Sequence, residues 1–189
     1  MRSIVQVGDP VLRAVAKEIA PDEIGSSSVR EIIADMKKLL AAEEFGVAIA
    51  APQVGESLRM FVVAGSGALK RKRNERKKDD EEADDSYFEG MPEDDEVYIN
   101  PTLVKMSRGK KEKHEGCLSV RGKWGEVPRA EKATIRYLDE NGRAQERGAS
   151  GFLAHIFQHE MDHLDGILYI DKATDVYDDS STVRDRQDK

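Results

Sequence analysis

The sequence predicts an α+β fold in which antiparallel and mixed β-sheets wrap around one central, metal-binding helix. The first observation is that helix: residues 151–165 carry apolar side chains at helical spacing over most of the circumference, which is typical of a helix buried on all sides. The second is a series of short runs with strand character, separated by turn residues. The chain, residues 1–189, is long enough to form a single domain with its own core.

The remaining elements are predicted in chain order. Asp9 before Pro10 indicates a short helix, and residues 29–42 are predicted to form a helix with one apolar face. Residues 46–51 are small and apolar, which suits a strand or loop against which another chain can lie. Strands are predicted at 60–64, 98–101, 102–106 and 167–170, with Pro101 at an edge or break, and an Asn-Gly turn joins 133–138 to 143–149 as a hairpin.

A charged segment at about 66–96 interrupts this pattern. Residues 70–78 carry seven basic side chains and one Glu, and residues 79–85 carry six acidic side chains. Because apolar residues are scarce here, we expect a mobile insertion whose two blocks of charge attract each other. The polar tail from about residue 173 is also expected to be loose.

Composition limits the classes of function. A net charge of −7 argues against binding of free nucleic acid. No basic and apolar leader and no apolar run of membrane length is present, so we expect a cytoplasmic protein with no membrane partner. The single cysteine allows no internal disulfide, which agrees with a reducing compartment.

Two histidines lie four residues apart in the central helix. On one helical face, His159 and His163 have side chains about 5–6 Å apart, near enough to bind the same ion. Glu160 completes an H-E-x-x-H pattern, in which the carboxylate takes a proton from water during hydrolysis. The pattern also occurs by chance, but burying these three polar residues is costly unless a metal and its water use them. The helix therefore predicts a metal-dependent hydrolase.

The third ligand is less obvious. Two arrangements familiar from metalloproteases fail, because Tyr169 occupies the position of a third histidine and no Glu follows Glu160. The remaining candidates are His114, His155, Cys117 and several late aspartates.

These candidates differ in reach. His155 lies two turns from His163, about 12 Å along the axis, so one ion cannot bind all three histidines of the helix. We expect His155 to be a pocket wall or a packed histidine. The thiolate of Cys117 would complete a Cys-His-His set that leaves a fourth position for water. If the stretch around Cys117 is a strand, His114 would point to its opposite face.

Three short motifs occur in order along the chain: GVAIAAPQ at 46–53, EGCLS at 115–119 and QHEMDH at 158–163. Together they make the chain resemble the peptide deformylase family. The stretches GDPVLR at 8–13 and VPRA at 127–130 are also similar to family sequence. The resemblance covers nearly everything except residues 66–96 and the tail after about 172.

Two positions depart from the family pattern. Ala48 stands where the family usually has a second glycine, and Arg121 stands where a proline usually follows the Ser-aliphatic pair. The Ala48 methyl group is expected to crowd the backbone that receives the peptide. One methyl group predicts altered affinity, not loss of the chemistry.

The resemblance implies an enzyme that removes the N-formyl group from the formylmethionine of newly made peptides and releases formate. It implies Cys117, His159 and His163 as metal ligands and Glu160 as the general base. It also implies that the Gln53 side-chain amide and the Leu118 backbone N–H donate to the oxyanion. The residues expected to contact substrate, as an added peptide strand or as an apolar pocket for methionine, are Gly46, Val47, Ala48, Gly116, Phe152, His155 and Ile156.

Cofactor and partners follow from the same resemblance. It implies Fe(II), whereas the ligand set alone suits zinc, and nickel or cobalt are further candidates. The expected partners are N-formylmethionyl nascent peptides, and the basic part of the charged segment is a candidate contact with ribosomal RNA near the exit tunnel. Two alternatives are a zinc endopeptidase and a non-catalytic, metal-stabilised interaction module that works through the charged segment.

Overall fold

The computed structural model of the chain describes residues 2–76 and 88–178. Within these residues the α-helices are α1 (Ser27–Ala42), α2 (Ser66–Arg76) and α3 (Gly151–Leu164). The strands are β1 (Ala48–Ala50), β2 (Met60–Val63), β3 (Glu96–Met106), β4 (Lys110–Cys117), β5 (Val120–Ala130), β6 (Lys132–Leu138), β7 (Ala144–Ser150) and β8 (Asp175–Asp178). The α+β class predicted from the sequence is confirmed.

The strands form two sheets. The larger has the order β1-β2-β3-β6-β7 and the smaller has the order β4-β5-β8. Every pair of named strands is antiparallel. Parallel pairing, which the expectation of mixed sheets allowed for, occurs as an isolated bridge between Lys17 and Leu58. β1 is therefore an edge strand of the larger sheet, with one side paired to β2.

Helix α3 packs against strands of both sheets, as its apolar circumference predicts. From Leu153 to Leu164, every residue except His159 is buried. In the core beside it, the ring of Phe157 meets the edge of Tyr98 at 5.3 Å, and Tyr98 stacks on Phe61 at 4.7 Å. Ser150 precedes the helix at the N-cap position, but its side chain makes no capping hydrogen bond.

The predicted strand at 167–170 is wrong. Tyr169–Asp171 instead forms a turn of 3₁₀-helix, in which Asp171 N–H donates to Leu168 C=O at 2.9 Å. A short apolar run indicates burial but not the backbone conformation, and here Leu168 and Tyr169 fill the smaller core beside β5. The strand near this end is β8, which corrects the expectation of a loose tail for its four residues; residues 179–189 lie outside the described part.

The two strands predicted at 98–101 and 102–106 form one strand, β3, with an irregularity where Pro101 indicates a break. Asn100 adopts a φ of 47°, a left-handed conformation that asparagine tolerates better than most residues. Its side chain donates to the Ile19 carbonyl and accepts from the Ile19 N–H, both at 2.8 Å. These two bonds stabilise the bend and tie the N-terminal stretch to the sheet.

The described ends of the charged segment pack on the body of the protein. Leu69 of α2 and two residues of the returning chain, Phe88 and Met91, belong to the main core. The guanidinium of Arg73 lies over the ring of Phe88 at 5.0 Å. The mobility expected for this segment stays a prediction, and residues 77–87 lie outside the described part.

Among the described residues, none of the helices combines the length and the apolar character needed to cross a bilayer.

Candidate metal centre

The structure brings together the three residues that sequence analysis selected as metal ligands. One ligand atom from each of Cys117, His159 and His163 lies within 4.8 Å of the other two, and Cys117 Sγ is 3.2 Å from His163 Nε2. Ligand atoms of a tetrahedral ion at usual zinc bond lengths stand roughly 3.5 Å apart. The donor set therefore fits one small divalent cation without large rearrangement.

Helix α3 and strand β4 hold the three ligand residues. His159 and His163 are one turn apart on α3, and their ring centroids are 5.0 Å apart. Cys117 ends β4, where the chain turns sharply into β5 and pairs with Val120. Gly116 is required before it, because a Cβ atom there would lie 2.8 Å from the ring of Trp124.

Glu115 lies two residues before Cys117 and is buried, with 2% of its surface exposed. Its Oε2 is 2.7 Å from His159 Nδ1, and its Oε1 is 2.8 Å from His155 Nε2. Arg129 donates to both carboxylate oxygens, at 2.6 and 3.0 Å. A carboxylate on Nδ1 fixes the orientation of the ring, which leaves Nε2 of His159 for a metal.

This arrangement sets the charge state of Glu115. Burial raises its pKa, but hydrogen bonds from His155, His159 and Arg129 outweigh burial and hold the pKa well below its ordinary value. The network continues outward, because Arg129 also donates to Asp162 at 2.6 Å and Asp162 accepts from Lys172 at 2.6 Å. The ionised carboxylate is thus compensated by cations on the side away from the metal centre.

Glu160 and His163 are the most buried polar side chains of the motif. Burial raises the pKa of Glu160 to about 7 and lowers the pKa of His163. Burial also lowers the pKa of His159, but hydrogen bonds to Cys117 and Glu115 outweigh it and raise that pKa. Within the described part of the chain, Glu160 Oε2 and His163 Nδ1 are buried without a hydrogen-bond partner. Such atoms are rare in proteins and indicate a group reserved for a ligand or a proton.

Gln53 connects the larger sheet to the metal centre. Its Oε1 accepts from the Ala50 N–H at 2.8 Å, and its Nε2 lies 3.4 Å from Cys117 Sγ and 3.3 Å from Ser119 Oγ. The amide group therefore points its N–H donors at the centre. Leu118 sits in the turn between β4 and β5, where its carbonyl accepts from Gln6 Nε2 at 3.0 Å.

The outer side of β1 faces the same centre. Ala64 N–H donates to the Val47 carbonyl at 2.9 Å, so Val47 bonds toward β2. Successive residues of an antiparallel strand alternate in direction, so the N–H and C=O of Ala48 point to the unpaired side. The Ala48 side chain is perpendicular to that direction and buried, so its methyl group does not cover the backbone edge.

A cavity of about 640 Å³ opens one helical turn from the metal centre. Phe152 and His155 of α3 line it, together with Lys113 and His114 of β4 and with Glu89 and Gly90 from the returning charged segment. The predicted methionine pocket is thus more polar than expected at this place. Ile156 lies instead in the main core, against which Val47 also packs.

His114, the remaining histidine candidate, lies on the other face of β4. It is exposed and stacks on Trp124 with ring centroids 4.6 Å apart, and its Nδ1 is 3.1 Å from Glu126 Oε1. Alternation along the strand placed it there correctly.

Sequence analysis gave no role to Glu115, Arg129 or Asp162. Glu115 could have been found by strand alternation, because residues two apart on a strand share a face and Cys117 was already selected. No comparable local signal links Arg129 and Asp162 to Glu115. Arg129 lies 14 residues from Glu115 along the chain, and Asp162 lies 33 residues from Arg129.

Known proteins similar to this chain were found by sequence and by structure. The profile of the polypeptide deformylase family matches residues 1–178. The peptide deformylase of Roseiflexus castenholzii is 36% identical over 178 residues, which are 93% of this chain and 90% of that protein. Peptide deformylase 1A, chloroplastic/mitochondrial, of Arabidopsis thaliana is 41% identical over 170 residues, 89% of this chain and 60% of that protein.

Two crystal structures agree with the fold. The peptide deformylase of Thermotoga maritima superposes with a TM-score of 0.73 at 29% identity, covering 93% of this chain and 99% of that one. The peptide deformylase of Synechococcus elongatus in complex with actinonin gives a TM-score of 0.72 at 31% identity, covering 92% and 79%. The chain therefore belongs to the polypeptide deformylase family, metal-dependent hydrolases that remove the N-formyl group from nascent peptides.

Proposed function

We propose that this chain deformylates peptides at the centre formed by Cys117, His159 and His163, with Glu160 as the general base. The observation that carries the proposal is the convergence of the three ligand atoms within 4.8 Å beside a buried carboxylate. A structural metal site uses four protein ligands, whereas three leave a position for water and substrate. Three ligands next to a buried base are the arrangement that hydrolysis requires.

The chain's own groups divide the reaction among them. When bound, a divalent cation lowers the pKa of water toward about 7 and polarises the formyl carbonyl. Glu160 accepts the proton of the attacking water and later donates it to the departing amine. The Gln53 amide and the Leu118 backbone N–H donate to the formyl oxygen, which becomes negative as the carbon is attacked. The products are formate and a peptide with a free amino terminus.

The peptide is proposed to lie along the outer side of β1. The outward N–H and C=O of Ala48 support this placement, because an extended peptide can add to an unpaired strand edge through backbone hydrogen bonds. Gly46 and Val47 come directly before Ala48 and are proposed to contact the peptide there, and Gly116 is proposed to contact it from β4. Phe152 and His155 would contact the methionine side chain from the neighbouring cavity.

For the metal we propose Fe(II), on the resemblance to the family. The donor chemistry, one thiolate and two imidazoles, also accepts zinc, nickel or cobalt. Metal analysis of protein purified without oxygen, followed by the same analysis after exposure to air, tests this choice. Iron recovered in the first sample together with activity supports Fe(II), and stoichiometric zinc with equal activity in both samples contradicts it.

Two peptides assayed side by side test the function. The metal-loaded protein is expected to release formate from formyl-Met-Ala-Ser and to leave an internally quenched, unblocked peptide intact. Cleavage of the quenched peptide alone would indicate an endopeptidase. Metal binding without hydrolysis of either peptide would indicate a non-catalytic module.

The basic part of the charged segment is proposed to contact ribosomal RNA near the exit of nascent chains. The support is its seven basic residues between 70 and 78 and a substrate that is borne by the ribosome. Glutamine substitutions at Lys70, Arg71, Lys77 and Lys78, which leave Lys72 and the core residues Phe88 and Met91 in place, should weaken binding to ribosomes in a sedimentation assay. Unchanged sedimentation would exclude the contact. A cytoplasmic location likewise stays a prediction.

A further inference from the structure

The groove along β1 has a defined direction. At one end, Gln53 joins the Ala50 N–H to the surroundings of Cys117, so this end adjoins the metal centre. Gly46 lies four residues earlier, about 13 Å away at the rise of a strand. A peptide with its formyl group at the metal centre therefore passes Gly46 with roughly its third or fourth residue.

An ion pair joins the two sides of the groove at that far end. Arg121 Nη2 lies 2.7 Å from Glu43 Oε1. Glu43 ends α1 three residues before Gly46, and Arg121 follows Val120, the residue that pairs with Cys117 across the β4–β5 turn. The two charges thus come from opposite sides of the groove and meet where the third and fourth peptide residues arrive.

The Glu43 side of this pair is fixed by other contacts. Lys72 Nζ of α2 donates to the carbonyls of Leu40, Glu43 and Gly46, at 2.7, 2.8 and 3.2 Å. Gly46 N–H also donates to the Glu43 carbonyl at 3.2 Å. The turn between α1 and β1 therefore has little freedom, and the charged segment contributes the residue that stabilises it.

The Arg121 side is freer to exchange partners. Its side chain is 57% exposed, compared with 23% for Glu43. An exposed ion pair contributes little to stability, so replacing one carboxylate partner by another meets little resistance. A guanidinium also binds a carboxylate through two parallel hydrogen bonds, which favours a partner that can approach in its plane.

We propose that Arg121 is a specificity-determining residue that binds a carboxylate of the peptide, at its third or fourth residue, in exchange for Glu43. The inference rests on the proposed function. The carboxylate can be an acidic side chain or the terminal carboxyl group of a short peptide. When Arg121 is replaced, the unpaired Glu43 carboxylate repels acidic peptides and attracts basic ones.

Steady-state assays of the metal-loaded enzyme separate the two sources of the carboxylate, an acidic side chain and the terminal carboxyl group. One pair of C-terminally amidated peptides, formyl-Met-Ala-Ser-Asp and formyl-Met-Ala-Ser-Lys, tests the side chain. A second pair, formyl-Met-Ala-Ser and its amide, tests the terminal carboxyl group. We expect kcat/KM to favour the carboxylate of each pair by up to about fivefold, the upper limit for an exposed ion pair, and to lose this preference in high salt.

Three variants test the exchange itself. Glu43→Gln should increase the preference for Asp over Lys, because Arg121 loses its competitor. Arg121→Gln should reverse the preference, because Glu43 is left to attract Lys. Arg108→Gln is the matched control: Arg108 is exposed and lies near the opposite end of the β4–β5 hairpin, so the preference should stay as in the wild type.

The outcomes also separate this inference from the function on which it rests. Formate released equally from all four peptides would overturn the role of Arg121 and leave the deformylase assignment intact. An unchanged preference in Arg121→Gln would overturn it as well. No formate from any peptide would refute the proposed function, and the inference with it.

Discussion

Replacement of Glu115 by alanine should damage both the fold and the metal centre. The side chain is buried and accepts from His155, His159 and the Nε and Nη2 groups of Arg129. Breaking a buried pair costs about 3–5 kcal/mol, and the lower end applies because Arg129 keeps its bond to Asp162. For a chain of this length about 3 kcal/mol corresponds to a fall in Tm of roughly 6–12 °C.

The effect on metal binding is a separate consequence. Without Glu115, His159 Nδ1 loses the acceptor that orients its ring, and loss of such a partner typically weakens metal affinity about 10–100-fold. Thermal unfolding of the metal-free protein gives the first quantity, and competition with a chelator gives the second. Glu112→Ala is the control, because Glu112 is exposed on the same strand and should shift Tm by no more than about 2 °C.

Acid dependence adds a third readout for the same residue. The pKa of Glu115 is lower in the folded chain than its ordinary value of 4.5. Its contribution to stability is therefore present above that pH and is lost as the pH falls below it. Glu115→Gln should flatten the acid side of the stability curve. Equal Tm and equal metal affinity in Glu115→Ala and Glu112→Ala would refute both roles of Glu115, in stability and in metal binding.

Other substitutions distinguish the remaining roles. Gln53→Leu should lower kcat about 10²–10³-fold with metal content unchanged, and unaltered turnover would refute the oxyanion role. Glu160→Ala should keep the metal but lower the rate of hydrolysis about 10²–10⁴-fold, whereas Cys117→Ala should lose the metal itself. Elemental analysis of each variant beside the formate assay separates these results, and a metal-free Glu160→Ala variant would contradict them. Gly116→Ala should cost about 1–3 kcal/mol because the methyl group meets the Trp124 ring at 2.8 Å, and an unchanged Tm would show that the ring moves freely.

Local patterns in the sequence predict most of the fold, because apolar residues recur at helical or strand spacing in most elements. Helix α1 and the β6–β7 hairpin match their predicted positions closely, since α1 has one apolar face and an Asn-Gly turn joins β6 to β7. The stretch at 167–170 was misassigned because four apolar residues satisfy a strand and a 3₁₀ turn equally well. β8 is exposed along its length and pairs with β5 at the edge of the smaller sheet, so no hydrophobic pattern in the sequence predicts it.

For the site, the sequence predicts the residues whose roles depend on local spacing. The two histidines are a helical pair, and Cys117 is the donor that the family motif supplies. The Glu115–Arg129–Asp162 network is different, because its members come from two strands of the smaller sheet and a helix, and they meet only when that sheet packs on α3. A long-range network of charges has no periodicity, so a single sequence cannot display it.

The two ends of the groove differ in how much change they tolerate. At the metal end, a buried carboxylate with three cationic or ring partners cannot lose one without leaving a charge unpaired. At the far end, the Arg121 side chain of the pair is exposed and Glu43 is half-buried, so loss of the pair costs less than loss of the buried one. Substitutions at the far end should therefore change which peptides are preferred while the chemistry continues, and Arg121, where the family usually has proline, occupies that end.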